Sequence, residues 1–404
     1  MKISDSSKLS ITLLSVNTFI YIAFALYSPF LSSYYTRAGL GAVQIGVLLT
    51  IGPLVAIIIQ PIWAILSDKT GRRKDILSLI LLGGGVSIYS FYLGNSFLTF
   101  FIAAFLIAVF ANSIAPLNDA ITLGYANKYQ LDFSRIRMGG TIGYTVFVVI
   151  AGMIVKHNPS IQFVLGSMGY VVTFFIVRRL PKDEIAPPII PGNNTPKKAS
   201  RFRFSDFFKI FKSKQVYFML GFAFISQVGL SFNGSFIGVY IIDLGLSENM
   251  IGIINGICAL SEIPVLFVIN KVLRKITTAK IVVISCLLLG LRILLVTGGS
   301  IGFIFAAQAL HGITYMTVYF SIAVFISKNI AAENLSKGQS VLTIIQAGAG
   351  SIVGNILGGF FVDNFGLDNA YRFISIIIIT ATIILASCYY LYKKSDKAKN
   401  PTTA

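Results

Sequence analysis

The sequence predicts an all-α membrane protein with twelve transmembrane helices arranged as two pseudo-symmetric six-helix bundles. Three observations carry this reading. Hydrophobic residues make up 55% of the 404 positions and charged residues only 12%, a balance far from that of soluble domains. The apolar residues gather in twelve runs, each close to the length of about 20 residues that crosses a bilayer. One Pro-rich, basic break then divides these runs six and six.

In chain order the first six runs are Leu9 to Tyr35, Val43 to Leu66, Ile76 to Leu93, Phe97 to Leu123, Met138 to Val155 and Ile161 to Val177. The other six are Val216 to Ile242, Met250 to Ile269, Ile281 to Val296, Ile301 to Ile326, Val341 to Val362 and Tyr371 to Leu391. Lys2 and Lys8 precede the first run as they would in a signal peptide, but no small-residue cleavage site interrupts it, so it reads as a span. The expected organisation is a six-helix bundle over 1–180, a cytoplasmic linker over 181–214 and a second bundle over 215–404. Pro187, Pro188, Pro191, Gly192 and Pro196 give the linker its composition. Within it, residues 201–212 alternate basic and aromatic side chains. That pattern fits an interfacial helix on an anionic leaflet better than a platform for single-stranded nucleic acid.

The net charge of +18 follows from topology, and no nucleic-acid partner is expected. With a cytoplasmic N-terminus, 33 Lys and Arg fall on the inner side except Arg37, Lys156 and Arg372 outside and Arg292 within a span. A plasma-membrane protein with both termini cytoplasmic is expected. Asp243, Glu248, Asp363 and Asp368 lie at outer ends and are expected to be solvated. Cys258, Cys286 and Cys388 fall in three different apolar runs without metal-like spacing, as packing residues. No cofactor and no metal are expected, and the chain is expected to be a monomer whose partners are lipid, protons and a small-molecule substrate.

The two halves share features. Pro61-Ile62-Trp63 with the basic loop after it is matched by Pro264-Val265-Leu266 and the loop from Lys271 to Lys275. Gly139 and Gly143 in the fifth run are echoed by Gly350, Gly354 and Gly358 in the eleventh, and small residues four apart let helix backbones approach closely in lipid. The charges inside the spans carry the chemistry, since each costs about 2.5–3.5 kcal/mol at mid-bilayer on insertion scales and needs a partner or a cavity. They are Asp119 in the fourth span, Arg135 and Arg137 opening the fifth, Glu262 in the eighth, Arg292 in the ninth and His311 in the tenth. Arg135 and Arg137, two apart on a helix, do not share a face.

The stretch Ser67-Asp68-Lys69-Thr70-Gly71-Arg72-Arg73-Lys74 places an acid, a turn glycine and a basic pair after the second span. In this it resembles the loop between helices 2 and 3 of the major facilitator superfamily of transporters, although Ala64 stands where that loop usually begins with glycine. The span charges resemble the lactose-permease and phenylpropionate-permease-like branch of that superfamily. There a helix-4 carboxylate, a helix-5 arginine and an aromatic residue two turns on form the sugar site; Asp119, Arg137 and Tyr144 match them. An acid, an arginine and a histidine on helices 8, 9 and 10 complete the sugar and proton network, matched by Glu262, Arg292 and His311. The run from Phe133 to Gly143 and the pair His311-Gly312 look more like the phenylpropionate-permease side. The second acid of helix 10 is missing, with Thr314 and Tyr315 in its region, and helix 5 lacks the Gly-Pro pair of drug exporters.

The resemblance implies a secondary transporter working by alternating access, most simply a proton symporter of a sugar or glycoside, with a nucleoside or an aromatic acid as the alternative solute. Export, or a membrane sensor that no longer transports, would retain the same cavity. A membrane enzyme is disfavoured, because His157 and His311 are the only histidines and no nucleophile–base pair is evident. Asp119, Arg137, Tyr144, Asn233, Gln308 and Gln346 are the expected substrate ligands. Glu262, Arg292 and His311 are the expected proton-coupling set, with Glu262 and Arg292 also able to form a structural pair and His311 to bond Gln308 or Asn255. Asp68, Arg72 and Arg73 are the expected gate, with Asp68 capping a helix of the other half. Asn17, Asn112, Asn118, Gln227 and Asn355, with Tyr21, Tyr315 and Tyr319, are expected to complete a hydroxyl-binding lining.

Overall fold

The structure is a computed structural model that describes residues 3–181, 213–330 and 335–399. The stretch 201–212, expected to be interfacial, lies outside the described residues. Among the described residues twelve helices are long and apolar enough to cross a membrane, and the chain is a multi-pass membrane protein. Spans 1 to 6 are Ser7–Arg37, Ala42–Thr70, Arg73–Leu93, Phe97–Tyr129, Phe133–Val155 and Ile161–Arg178. Spans 7 to 12 are Lys214–Asp243, Glu248–Lys275, Thr278–Leu295, Ile301–Lys328, Gly338–Phe365 and Leu367–Asp396. Span 2 runs further than its apolar run, through Asp68 to Thr70, which leaves Gly71 and Arg72 as the turn. Gly71 caps that helix at φ 65°, a left-handed conformation that glycine adopts without a Cβ penalty.

By packing, the chain forms two compact units, Met1–Ile190 with Ser235–Ala259, and Pro191–Gly234 with Leu260–Ala404. In the first, span 5 crosses span 1 through small residues. A Cβ on Gly139 would stand 2.6 Å from Thr18 Oγ1, and one on Gly143 would stand 3.0 Å from the Thr18 carbonyl. In the second, span 11 crosses span 7 in the same manner, with a Cβ on Gly350 falling 2.7 Å from Gln227 Cβ and one on Gly354 falling 2.4 Å from the Val228 carbonyl. The glycine spacing that relates the two halves is therefore used for equivalent helix crossings. Its benefit is dispersion contact between backbones, the main attraction available where lipid is as apolar as the protein.

Several spans are interrupted. Span 1 contains a 3₁₀ turn at Ser28–Phe30, around Pro29, and span 4 contains one at Ala111–Ser113. Span 10 breaks at Leu310, between Ile301–Ala309 and His311–Lys328, and span 11 carries a π-helical turn at Ile344–Gly350. The cause in span 4 is Pro116, which has no N–H to donate to the carbonyl four residues earlier, Asn112. In hydrocarbon that carbonyl needs another donor. Gln60 Nε2 of span 2 supplies it at 3.0 Å, and Trp63 Nε1, one turn on, donates to the Val109 carbonyl at 2.8 Å.

Where span 8 begins, one expectation is overturned. Glu248, expected to be solvated, is 1% exposed and lies 2.5 Å from Arg37 Nε. A close crossing buries it. A Cβ on Gly152 of span 5 would come 2.8 Å from the Glu248 carbonyl, and one on Gly252 would come 2.5 Å from the Val148 carbonyl. Glu248 also opens its helix, where the helix dipole favours a carboxylate. Asp243, Asp363 and Asp368 are exposed, as expected.

Because the Gly354 contact is with backbone, Gly354→Ala should lower the thermal midpoint of the purified protein, at a cost of about 1–3 kcal/mol. Gly234 has nothing within 4 Å of its Cβ position. Gly234→Ala should leave the midpoint unchanged or raise it, since removing a helical glycine gains about 0.5–1 kcal/mol. Equal responses in thermal unfolding would contradict the packing account.

Candidate functional site

The charged residues of the spans form two clusters, one in each unit. In the first, the break at Ala111–Ser113 ends six residues before Asp119, which faces the start of span 5. Asp132 caps span 5 by accepting from the Arg135 N–H at 3.1 Å. Arg135 turns outward, 81% exposed and paired with Asp132, whereas Arg137 donates through Nη1 to Asp119 Oδ2. Tyr21 of span 1 lies beside this pair. Gly140, one turn beyond Arg137, makes this possible, since a Cβ there would overlap the Tyr21 ring at 2.5 Å. Tyr144, a further turn on, lies against Phe24 with ring centroids 6.1 Å apart. Asp119 Oδ1 is buried and takes no protein donor. One carboxylate oxygen is thus held by arginine, and the other remains a hydrogen-bond acceptor, with Tyr21 near the pair.

The second cluster surrounds the break at Leu310. Span 8 crosses span 10 in backbone contact: the Gly312 N–H donates to Ser261 Oγ at 2.8 Å, and a Cβ on Gly312 would lie 2.0 Å from the Ser261 carbonyl. This crossing sets Glu262 next to His311, with Oε1 3.3 Å from Nε2. Of the expected proton-coupling set, Glu262 and His311 are in contact; the alternatives of a structural Glu262–Arg292 pair and of a His311 bond to Gln308 or Asn255 give way to this contact. His311 Nδ1 is buried and has no protein partner, and the ring stacks on Tyr315, which is followed by Tyr319.

Arg292 is 1% exposed and acts as a brace. Its Nε donates to the Ala307 carbonyl at 3.0 Å, Nη1 to Thr314 Oγ1 at 3.2 Å and Nη2 to Gln308 Oε1 at 2.6 Å. It thereby ties span 9 to both sides of the break in span 10. Gln308 Oε1 also lies 3.5 Å from Asn233 Nδ2 of span 7, and Gln346 sits in the π turn of span 11, largely buried. π turns inside helices are frequent at functional sites.

The set expected as a gate lies at the end of span 2 and in the turn after it. Asp68 pairs with Arg73 at 2.6 Å, while Arg72 is exposed. The left-handed Gly71 turns the chain so that Arg73 folds back onto the end of span 2. Asp68 and Arg73 border a cavity of about 130 Å³ shared with Gln60, Trp63, Ser113 and Pro116. Lys74 donates to the carbonyls of Arg178 and Leu180, and Arg178 pairs with Asp75 at 2.9 Å.

Several amides expected to line a cavity are braces instead. Asn17 Nδ2 donates to the Leu13 carbonyl and Thr122 Oγ1, Asn112 Nδ2 to the Gly52 carbonyl, and Gln227 Nε2 to Ser231 and Ser351 hydroxyls. Buried amides in lipid are held by whatever acceptor lies within reach. The brace residues Gln60 and Trp63 were missed by sequence reasoning; the readable signal was Pro116 four residues after Asn112.

A twelve-span helical protein with ion-paired charges beside breaks in its spans is built as a membrane transporter. The chain belongs to the MFS_1 like family, which matches residues 10–373, and it is a transporter of the major facilitator type. It is 24% identical over 366 residues to the uncharacterized transporter YwbF of Bacillus subtilis (strain 168), covering 89% of this chain and 88% of that one. It is 22% identical over 370 residues to the maltose permease of Geobacillus stearothermophilus, covering 91% of each. Its fold superimposes on the crystal structure of a variant of the nucleoside transporter NupG with a TM-score of 0.81 at 17% identity, over 95% of this chain and 99% of that one.

Arg292→Lys should lower the thermal midpoint, because an ammonium cannot reproduce three donor directions fixed by a planar fork, each such bond contributing about 1.5–3 kcal/mol. Arg135→Lys should leave it unchanged. Thermal unfolding of the two variants checks the assignment of Arg292 as the brace of span 10.

Proposed function

We propose that the protein is a proton-coupled symporter of a small organic solute, with sugars or glycosides first and nucleosides second, working by alternating access. The observation that carries the coupling is the Glu262–His311 contact, two titratable groups 3.3 Å apart beside a break in a span. A proton on this pair neutralises the carboxylate while His311 Nδ1 stays available to a solute hydroxyl. Solute binds the protonated carrier, and after the conformational change water draws the proton from the pair. Asp119 and Arg137, with Tyr21 and Tyr144, bind the solute: the carboxylate oxygen without a protein donor accepts from a hydroxyl, and the guanidinium donates. Asn233, Gln308 and Gln346 are proposed to contribute amides to solute binding.

The likeness to a maltose permease supports the sugar reading. The His311–Tyr315–Tyr319 stack and the likeness to a nucleoside transporter favour the second, since a flat base stacks on such rings. Asp68, Arg72 and Arg73 are proposed to act in gating. The protein is proposed to work as a monomer in the plasma membrane with both termini cytoplasmic.

In proteoliposomes, Glu262→Gln should abolish uphill uptake driven by a pH gradient and leave equilibrium exchange of labelled glucoside or nucleoside intact. Unchanged uphill uptake would sink the coupling proposal. For the orientation, single cysteines replacing Lys69 and Lys156, in a background without Cys258, Cys286 and Cys388, should react with a membrane-impermeant maleimide from opposite sides. In intact cells Lys156→Cys should label and Lys69→Cys should not.

A further inference from the structure

The second unit carries an apolar groove that the transport reading does not use. It is formed by spans 8, 9 and 10, encloses about 260 Å³ and is lined almost wholly by aliphatic side chains, among them Val268, Val272, Ile276, Ile284, Leu288 and Ile313. Val268, Ile276, Ile284 and Ile313 are exposed, so no other part of the described protein covers it. Along span 8 the lining runs from Val265 to Ile276, about 16 Å at the helical rise. That is close to half of a hydrocarbon core about 30 Å thick, the depth of one leaflet.

The mouth of the groove is basic. Ile276 lies in the turn between spans 8 and 9, and Lys271, Arg274, Lys275 and Lys280 surround that turn, all four exposed. From Ile263 to Ala332 the sequence contains no Asp or Glu, so this part of the chain offers these cations no carboxylate. An apolar channel one leaflet deep, ending at a cluster of exposed positive charge, matches one occupant in both shape and charge. We propose that the groove holds an acyl chain of an anionic phospholipid, whose phosphate rests on the Lys271–Lys280 cluster. A zwitterionic lipid would leave the charge unanswered, and a second copy of this chain would bring a like-charged cluster to the same turn.

The test is native mass spectrometry of the full-length protein in mild detergent with equal amounts of phosphatidylglycerol and phosphatidylcholine. One phosphatidylglycerol should be retained in preference to phosphatidylcholine by about tenfold. The preference should vanish for the wild-type protein in about 1 M salt, where the screening length falls to about 3 Å. Replacing Lys271, Arg274, Lys275 and Lys280 by Gln should remove the preference and keep an unselective lipid adduct. Filling the groove with Ile284→Trp and Ile313→Trp, both at exposed positions, should remove the retained lipid itself. Equal retention of the two lipids by the wild type, a preference indifferent to salt, or full retention by the filled variant would overturn the proposal. A lipid-free dimer that the filled variant abolishes would assign the groove to a second copy instead.

Discussion

Hydrocarbon offers no hydrogen bonds, and this single constraint shapes the molecule. A span can be interrupted where side chains, neighbouring helices, water or a local change of helix type satisfy the released backbone groups. Span 4 breaks before Pro116, and Gln60 and Trp63 take the carbonyls at the break. Span 10 breaks at Leu310, and Arg292 takes the Ala307 carbonyl. The two breaks fall in equivalent spans of the two halves, and the titratable residues follow them closely: Asp119 on the helix after the first, His311 at the first residue after the second. The braces therefore bear on the site as well as the fold, because the residue that carries charge lies on the helix that follows each break. Arg292 illustrates the division of labour, its charge spent on backbone and neutral side chains while Glu262 meets His311.

Glycine supplies the second organising principle. Residues spaced by four in spans 5 and 11 allow these helices to lie against spans 1 and 7 at backbone distance, and Gly312 does the same for spans 8 and 10. At two of these crossings a small residue allows a neighbouring polar contact: Gly140 makes room for Tyr21 beside Arg137, and Gly312 brings Glu262 beside His311. Packing and site chemistry are thus the same geometric fact viewed from two sides of a helix.

Much of this was legible in the sequence. The twelve spans follow from apolar length alone, and the paired crossings follow from the glycine spacing at 139/143 and 350/354. Asp119 and Arg137 could be matched through the resemblance to the permease site, and helical geometry said that Arg135 and Arg137 take different faces without saying which of them turns inward. What was not legible depended on distances between residues far apart in the chain. Helix order brought Glu262, Arg292 and His311 to neighbouring spans but said nothing of which two would touch; that is set by the Ser261–Gly312 crossing. Glu248 stands at a helix end and reads as solvated until Gly152 closes over it. Asn17, Asn112 and Gln227 looked available to a solute, yet acceptors on their own or adjacent helices lay nearer. Asp68 was read as part of a loop because charge was taken to end the helix, whereas the helix ends where Gly71 turns left-handed.

The crossing of Gly152 with Gly252 has a further consequence. It is a seam between main chains, with no rotamers to freeze when it forms and none to release when it parts, so side-chain entropy contributes little in either direction. Such a seam behaves as a matched pair of hard surfaces. Its strength is set almost entirely by fit, and the neighbouring Arg37–Glu248 pair supplies a directional contact that registers one surface on the other.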